Sequence, residues 1–175
     1  MIKVSVILTT YNSENQIQEV IDSIHKQEGR DELFELELLV VDDCSTDTTQ
    51  AILFKNNINF QFTSKNTGGP NHGRNIALSM CTGNYICIAD HDDIWFSNKI
   101  IQLLAVVDLA PIISSGYILS DKSLAKEVSR VKNSVDNAGY ILYEKNTTFI
   151  SKLTKTKVGQ QTYLGSIMFC SSLKH

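Results

Sequence analysis

The 175-residue chain lacks most of what would tie it to nucleic acid, a bilayer or a metal cluster. Nineteen Asp and Glu outweigh sixteen Lys and Arg, giving a net charge of −3, and no run of basic residues interrupts that balance. This removes the electrostatic footprint expected for nucleic acid or an anionic membrane surface. The longest apolar stretch, Ile100 to Ile113, is broken by Gln102, Asp108 and Pro111. A membrane span needs about 20 apolar residues, so none is expected here. The opening Met1 to Leu8 is too short and too quickly polar for a signal peptide. Four cysteines (Cys44, Cys81, Cys87, Cys170) show no CxxC spacing, which argues against a zinc site or a redox pair and favours reduced thiols in a cytosolic protein. There are no internal repeats and no low-complexity segment. What is present is one soluble globular domain, 42% hydrophobic and 20% charged, long enough to bury a core unaided.

Strand-like and helix-like segments alternate. Val4 to Thr9 is a continuous apolar, β-branched run, the pattern of a strand buried on both faces of a parallel sheet. Ser13-Glu14-Asn15-Gln16 fits a capping box, and Ile17, Val20, Ile21 and Ile24 form a helical stripe, with His25 and Lys26 favouring its C-terminal dipole. Leu36 to Val41 reads as a second strand ending at Asp42-Asp43. A short helix follows, carrying Ala51, Ile52 and Phe54. Ile58, Phe60 and Phe62 alternate as a third strand more exposed on one face. Gly68-Gly69-Pro70 breaks the chain before a helix from Arg74 to Cys81, which Gly83 can end in a left-handed conformation. Tyr85 to Ala89 is the fourth strand, and Ser97 caps a helix burying Ile100, Leu103, Leu104 and Val107. This rhythm predicts a doubly wound, mostly parallel sheet with ligands at the carboxyl ends of its strands. After Pro111 the pattern weakens: Ile112 to Leu119 and Thr162 to Phe169 are expected strands, and Ser120 to Ala138 is polar and loop-rich.

The densest chemistry is Asp90-His91-Asp92-Asp93, directly after the fourth strand. Three carboxylates in four residues repel one another and suit a hard divalent cation such as Mg²⁺ or Mn²⁺. Taken alone, an Asp-x-Asp-Asp is as readily a solvated acidic turn. Its company matters more: Thr9-Thr10-Tyr11-Asn12 follows the first strand and Asp42-Asp43 the second, so three ligand-ready clusters converge on one rim.

These segments, with Asn66-Thr67-Gly68-Gly69-Pro70, Arg74-Asn75 and Asp90-His91-Asp92-Asp93-Ile94-Trp95, resemble glycosyltransferase family 2 in order and spacing. Cys44 stands where that family usually has glycine, and Gly73 where alanine often precedes the arginine. The resemblance implies a GT-A fold, a Rossmann-like α/β/α sandwich. It implies residues 1–110 as the nucleotide-sugar-binding part and residues 111–175 as the start of the acceptor side. It places Thr9 and Tyr11 on the first loop near the base, with Asp43 accepting a uracil or thymine ring N–H, Arg74 reaching base or diphosphate oxygens, Asp90 near ribose and metal, and Asp92 as ligand of Mg²⁺ or Mn²⁺. Each has a plainer reading. Asp42 or Asp43 could cap a helix, Tyr11 could simply pack, Arg74 could form a surface ion pair, and Gly68-Gly69 could be only a turn. Asp93 reads equally as structural or acceptor-side; Trp95 as core or sugar-stacking. His72 and His91 are expected in solvent.

The implied activity is inverting transfer from a UDP- or dTDP-sugar to a saccharide or lipid-linked glycan, in bacterial surface polysaccharide synthesis. The expected location is cytoplasmic, at the inner face of the membrane, with any peripheral membrane association made by regions outside this chain. An inverting transferase needs a general base. In the family this carboxylate lies beyond a strand resembling Tyr163 to Phe169, and the chain stops at His175, so the base is left unassigned; Asp121, Asp136 and Glu144 have nothing to recommend them. The chain is therefore expected to be the donor-binding part of a longer transferase. The alternative is a non-catalytic nucleotide-sugar-binding module. A DxD phosphatase would want Thr or Ser soon after Asp92, where Ile94 stands, and a receiver domain would carry its acidic pair after the first strand rather than the second.

Overall fold

The computed structural model describes residues 1–115, 117–120, 127–131 and 167–173. Strand β1 (Ile2–Thr10) is buried from Val4 onward. It lies between β2 (Phe34–Asp42) and β4 (Tyr85–Asp90), parallel to both, with β3 (Phe60–Phe62) parallel to β2 at the edge. Beyond β4 the sheet continues through β8 (Ile167–Cys170), antiparallel, to β5 (Ile112–Ser114), giving the order β3-β2-β1-β4-β8-β5. The sheet is thus parallel except for β8. A separate two-stranded ribbon pairs β6 (Tyr117–Ser120) with β7 (Glu127–Val131). The single strand expected from Ile112 to Leu119 is therefore two strands in different sheets, and the described residues of the polar stretch after Ser120 include the strand β7. The expected strand from Thr162 is described only as β8; positions 132–138 and 162–166 lie outside the described residues.

The period-two pattern of β1 sorts the core into two layers. Val4, Val6 and Leu8 pack with Ile17, Val20, Ile21 and Ile24 of α1 (Ile17–His25), Leu53 of α2 (Thr49–Lys55), and Ile100 and Leu103 of α4 (Lys99–Leu104). Ile7 turns to the opposite face, where Val41 and Ile86 meet Ala77 and Cys81 at α3 (Pro70–Met80). The result is the expected α/β/α sandwich. Because β1 leads to β2 and β3 on one side and the chain then crosses to β4 on the other, the strand order reverses between β1 and β4. A crevice at the carboxyl ends there is where open α/β sheets take ligands.

Three local expectations are corrected. Ser13 forms no capping box: α1 starts at Ile17 with Gln16 at its N-cap and no side-chain cap. Ser13 is drawn instead into loop contacts, its N–H donating to Thr49 Oγ1 at 2.8 Å and its hydroxyl to the Tyr11 carbonyl at 3.1 Å. Ser97 does not cap α4 either. Asn98 holds that position, and the Ser97 hydroxyl donates to Glu28 Oε1 at 2.5 Å. Gly83 is not left-handed; α3 already ends at Met80. Glycine is required there by space, since a Cβ would lie 2.7 Å from the Ser5 amide and 2.8 Å from the Lys3 carbonyl.

Candidate functional site

Thr9 and Asp90 are opposite one another in the β1–β4 register, and Thr10 faces Asp42 across β1–β2. The three clusters therefore do share one rim. Thr9 belongs to the buried end of β1 rather than to a loop; its γ-methyl is the atom a side chain at Gly73 would meet, at 3.0 Å. A glycine at that position in α3 lets the helix sit close to β1, bringing Arg74 over the crevice. Tyr11, the first residue past the strand, is 41% exposed and free to cover a planar ligand.

Asp42 and Asp43 divide their work. Asp42 is fully buried and accepts the Ser45 N–H at 2.9 Å, the Ser45 hydroxyl at 2.5 Å and Gln50 Nε2 at 2.7 Å, so it builds the turn instead of facing the crevice. Asp43, 6% exposed, accepts the Thr63 hydroxyl at 2.8 Å and the Thr67 N–H and hydroxyl, each at 2.9 Å. Burial alone would push its carboxyl up. The Thr67 amide, the two threonine hydroxyls and the charge of His72 together hold it below the ordinary carboxylate value. Asp43 is thus kept as an acceptor beside the glycine loop. Gly68 in that loop has φ +80°, which favours glycine, and its N–H is held by Asn66 Oδ1 at 2.7 Å.

The loops carrying Tyr11 and Asp43 are clasped to each other. Asn12 donates its N–H to Ser45 Oγ and receives the Thr46 N–H on Oδ1, both at 2.9 Å. Glu14 ties itself to the same loop twice: its N–H goes to Asp47 Oδ2 at 3.1 Å, and its Oε2 accepts the Thr48 N–H at 3.0 Å. Asn12 and Cys44, each directly after a candidate site residue, are left-handed at φ +46° and +62°. Asparagine tolerates this; cysteine is an uncommon occupant.

Arg74 forms an ion pair with Asp90 through one guanidinium nitrogen and Asp90 Oδ1, with side chains only 14% and 15% exposed. The plainer alternative for Arg74, an ion pair, is thus present in a largely buried form, and it occupies one side of each partner. Arg74 Nε is buried with no hydrogen-bond partner, a donor that a ligand oxygen could satisfy.

Past β4 the chain turns tightly, the Asp93 N–H donating to the Asp90 carbonyl at 3.2 Å. Asp92 is exposed, whereas Asp93 is half-buried. Burial first, then the Asp90 and Asp92 carboxylates, push the Asp93 carboxyl up to about 7, against the pull of Lys99. The Lys99 amine is pushed down to about 8 by burial, against the opposing influence of Cys87, Asp93 and Asp90. Trp95 is 6% exposed and belongs to the core, and its indole Nε1 has no acceptor. His72 is exposed as expected; His91 is half-buried.

A divalent cation fits this corner only with help. Among the described residues no three His, Cys, Asp or Glu side chains form a metal-ligating group. The carboxylate oxygens available are those of exposed Asp92 and the side of Asp90 not taken by Arg74. That suits a hard ion bound by one or two carboxylates and completed by water and phosphate. The crowding that raises Asp93 is of the kind an added positive charge relieves. Asp121, Asp136 and Glu144 lie outside the described residues.

Several participants had no role assigned from the sequence. Thr63 and Thr67 had one signal, the Asn-x-Gly turn that fixes the loop. Lys99 had another: a lysine in a helix's first turn opposes the macrodipole and wants a local reason. Asn12 stood in the motif after the first strand and Glu14 in the expected capping box, but nothing there pointed to their clasp on the second loop.

The chain resembles several known proteins. It is 42% identical over 97 residues to the Staphylococcus aureus poly(ribitol-phosphate) beta-N-acetylglucosaminyltransferase TarS, a match covering 53% of this chain and 17% of that one. It is 36% identical over 99 residues to WfgD of Escherichia coli, a UDP-Glc:alpha-D-GlcNAc-diphosphoundecaprenol beta-1,3-glucosyltransferase, covering 55% and 38%. The chain thus spans well under half the length of these relatives. Against the crystal structure of TarS residues 1–349 with UDP-GlcNAc, the TM-score is 0.61 at 33% identity, covering 68% of this chain and 36% of that one. The mannosyltransferase PcManGT of Pyrobaculum calidifontis, crystallised with GDP-Man and Mn²⁺, superposes with a TM-score of 0.57 at 28% identity over 64% and 34%. The described sheet and helices are those of a GT-A fold. The family model for glycosyl transferase family 2 matches residues 5–174, and the chain belongs to that family.

Proposed function

We propose that this chain carries the donor site of a metal-assisted, inverting glycosyltransferase. Its donor is a UDP- or dTDP-linked sugar and its acceptor a saccharide or lipid-linked glycan of a bacterial surface polysaccharide. The observation that carries this reading is the gathering of Tyr11, Asp43, Arg74, Asp90 and Asp92 on one rim at the strand-order reversal. The TarS and WfgD relatives support the acceptor class. The Mn²⁺ in the PcManGT crystals supports the choice of cation.

In this reading Tyr11 covers one face of the base. Asp43, kept ionised by Thr63 and Thr67, accepts the ring N–H on a lone pair those residues leave open, with Thr9 flooring the pocket. A base without that N–H would leave the open lone pair of a buried carboxylate without a donor, at a cost of about 1–3 kcal/mol, which gives selectivity. Arg74 directs its unpartnered Nε toward ligand oxygen while Asp90 fixes the guanidinium and faces the ribose. Asp92 holds the divalent cation, which would supply Lewis-acid stabilisation of the departing diphosphate. The proposed setting is the cytoplasm at the inner membrane face; among the described residues no helix is long and apolar enough to cross a membrane.

Calorimetric titration with UDP in the presence and absence of Mn²⁺ tests the reading, followed by a thermal-shift panel of nucleotide sugars to identify the donor. Mn²⁺-dependent UDP binding is expected. No affinity for any uridine or thymidine nucleotide would overturn it, and tight binding without transfer by the complete protein would make it a binding module.

A further inference from the structure

The acidic loop is built over a cation of the protein's own. Lys99 opens α4, and its Nζ lies 4.0 Å from the centroid of the Trp95 ring. Its charge acts on both Asp93 and Asp90. The segment between the acidic loop and Lys99 is bolted to α1 and its C-terminal extension. The Trp95 N–H donates to Ser23 Oγ at 3.1 Å, and Gln27, 4% exposed, donates to the Phe96 carbonyl at 2.8 Å while accepting the Ile100 N–H at 3.0 Å. The Glu28 N–H reaches the Ser97 carbonyl at 2.8 Å. An ammonium largely withdrawn from water costs free energy unless aromatic faces and carboxylates receive it. Here the aromatic face is that of Trp95, two residues past the acidic loop, and the neighbouring carboxylates are those of the loop itself.

We propose that Lys99 is a positioning residue for the metal–diphosphate corner: stacked on Trp95, two residues past Asp93, it braces the end of the acidic loop where Trp95 is tied to α1 and so aims Asp92 at the cation. This rests on the nucleotide-sugar reading above. Removing the ammonium has two consequences of opposite sign. As a charge, its loss leaves the carboxylates more negative and tightens their grip on a divalent ion. As a brace, its loss frees the loop and loosens that grip. The sign of the change therefore separates bystander from brace.

The test compares wild type, Lys99→Met and Lys99→Arg by calorimetric titration with Mn²⁺ and UDP. Lys99→Met is expected to weaken Mn²⁺-dependent UDP binding by about tenfold or more, the scale of residues that orient metal ligands. Lys99→Arg, which keeps the charge and stacks well on an indole, should recover most of it. Affinity in Lys99→Met equal to or tighter than wild type would overturn the proposal. Trp95 is the chain's one tryptophan, so its emission reports the contact without any ligand. A shifted spectrum in Lys99→Met and a wild-type spectrum in Lys99→Arg are expected. Should wild type show no Mn²⁺-dependent UDP binding, the nucleotide reading fails; unchanged Trp95 emission in Lys99→Met would separately sink the brace. If Lys99→Met does not fold, the double variant Lys99→Met/Asp93→Asn leaves no unpaired buried charge and must show the same weakening; wild-type affinity there refutes it.

Discussion

Toward the amino end of the sheet, Glu37 is surrounded by donors; at the carboxyl end, Asp93 is surrounded by other carboxylates. Glu37 on β2 accepts the Ser5 hydroxyl at 2.5 Å, the Thr82 N–H at 2.9 Å, the Thr82 hydroxyl at 2.6 Å and the Lys3 ammonium at 3.0 Å. Burial works to raise its carboxyl, yet these four donors bring it down to about 2. The Ser5 hydroxyl also receives the Gly83 N–H at 2.9 Å, which locks the start of β4 to β1. At the other end Asp93 is pushed up to about 7, Arg74 Nε and Trp95 Nε1 lack partners, and Cys44 is held left-handed. Around Glu37 the polar groups are satisfied and contribute stability. The carboxyl end leaves donors, charges and strain available to a ligand, as functional sites commonly do.

The contrast is broken most severely at Asp92. Asp92→Ala should lower Mn²⁺-dependent UDP affinity roughly a thousandfold, the scale of a lost metal contact, while leaving the melting temperature nearly unchanged. Unchanged calorimetric affinity would remove Asp92 as the metal ligand.

Glu37→Gln should do the reverse, costing on the order of 3 kcal/mol of stability at pH 7 with UDP binding intact. Because the folded carboxyl lies below its ordinary value of 4.5, this contribution is full above that value and is lost as pH falls toward 2. Urea denaturation of both proteins should therefore converge near pH 2; a gap that persists there would mean the loss is not one of charge.

Asp43→Ala falls in between. It should weaken UDP binding by about 1–3 kcal/mol and narrow the preference for uridine over cytidine nucleotides, measured by competition titration. Smallest is Cys44→Gly, expected to stabilise the fold by about 1 kcal/mol by relieving left-handed backbone. A fall in melting temperature would show that the Cys44 side chain contributes packing worth more than the strain.

Much of the carboxyl rim was legible because its residues come in short runs at strand ends. Tyr11-Asn12, Asp42-Asp43 and Asp90 to Asp93 each follow an apolar stretch, and parallel topology brings such ends together. The amino-end network was not legible. Ser5, Glu37 and Thr82 are separated by 32 and 45 positions, and each alone is an unremarked polar residue on or beside a strand. Local signals also failed where tertiary partners outbid them. Ser13 and Ser97 are sound caps by type, but Thr49 and the Tyr11 carbonyl engage one, and Glu28 engages the other.

The hydrophobic periodicity and its punctuation were enough to determine the alternation of strands and helices, the sheet's burial on both faces and the strand ends at which the polar clusters converge. These depend on which residues neighbour one another along the chain. Tertiary structure alone decided that Gly83 is needed for space, that Arg74 meets Asp90, that Thr67 holds Asp43, and that Lys99 lies on Trp95 behind the acidic loop. Each is a contact between segments whose approach is set by the packing of whole layers. No single segment carries that information, because desolvation and pairing energies exist only once the layers have closed.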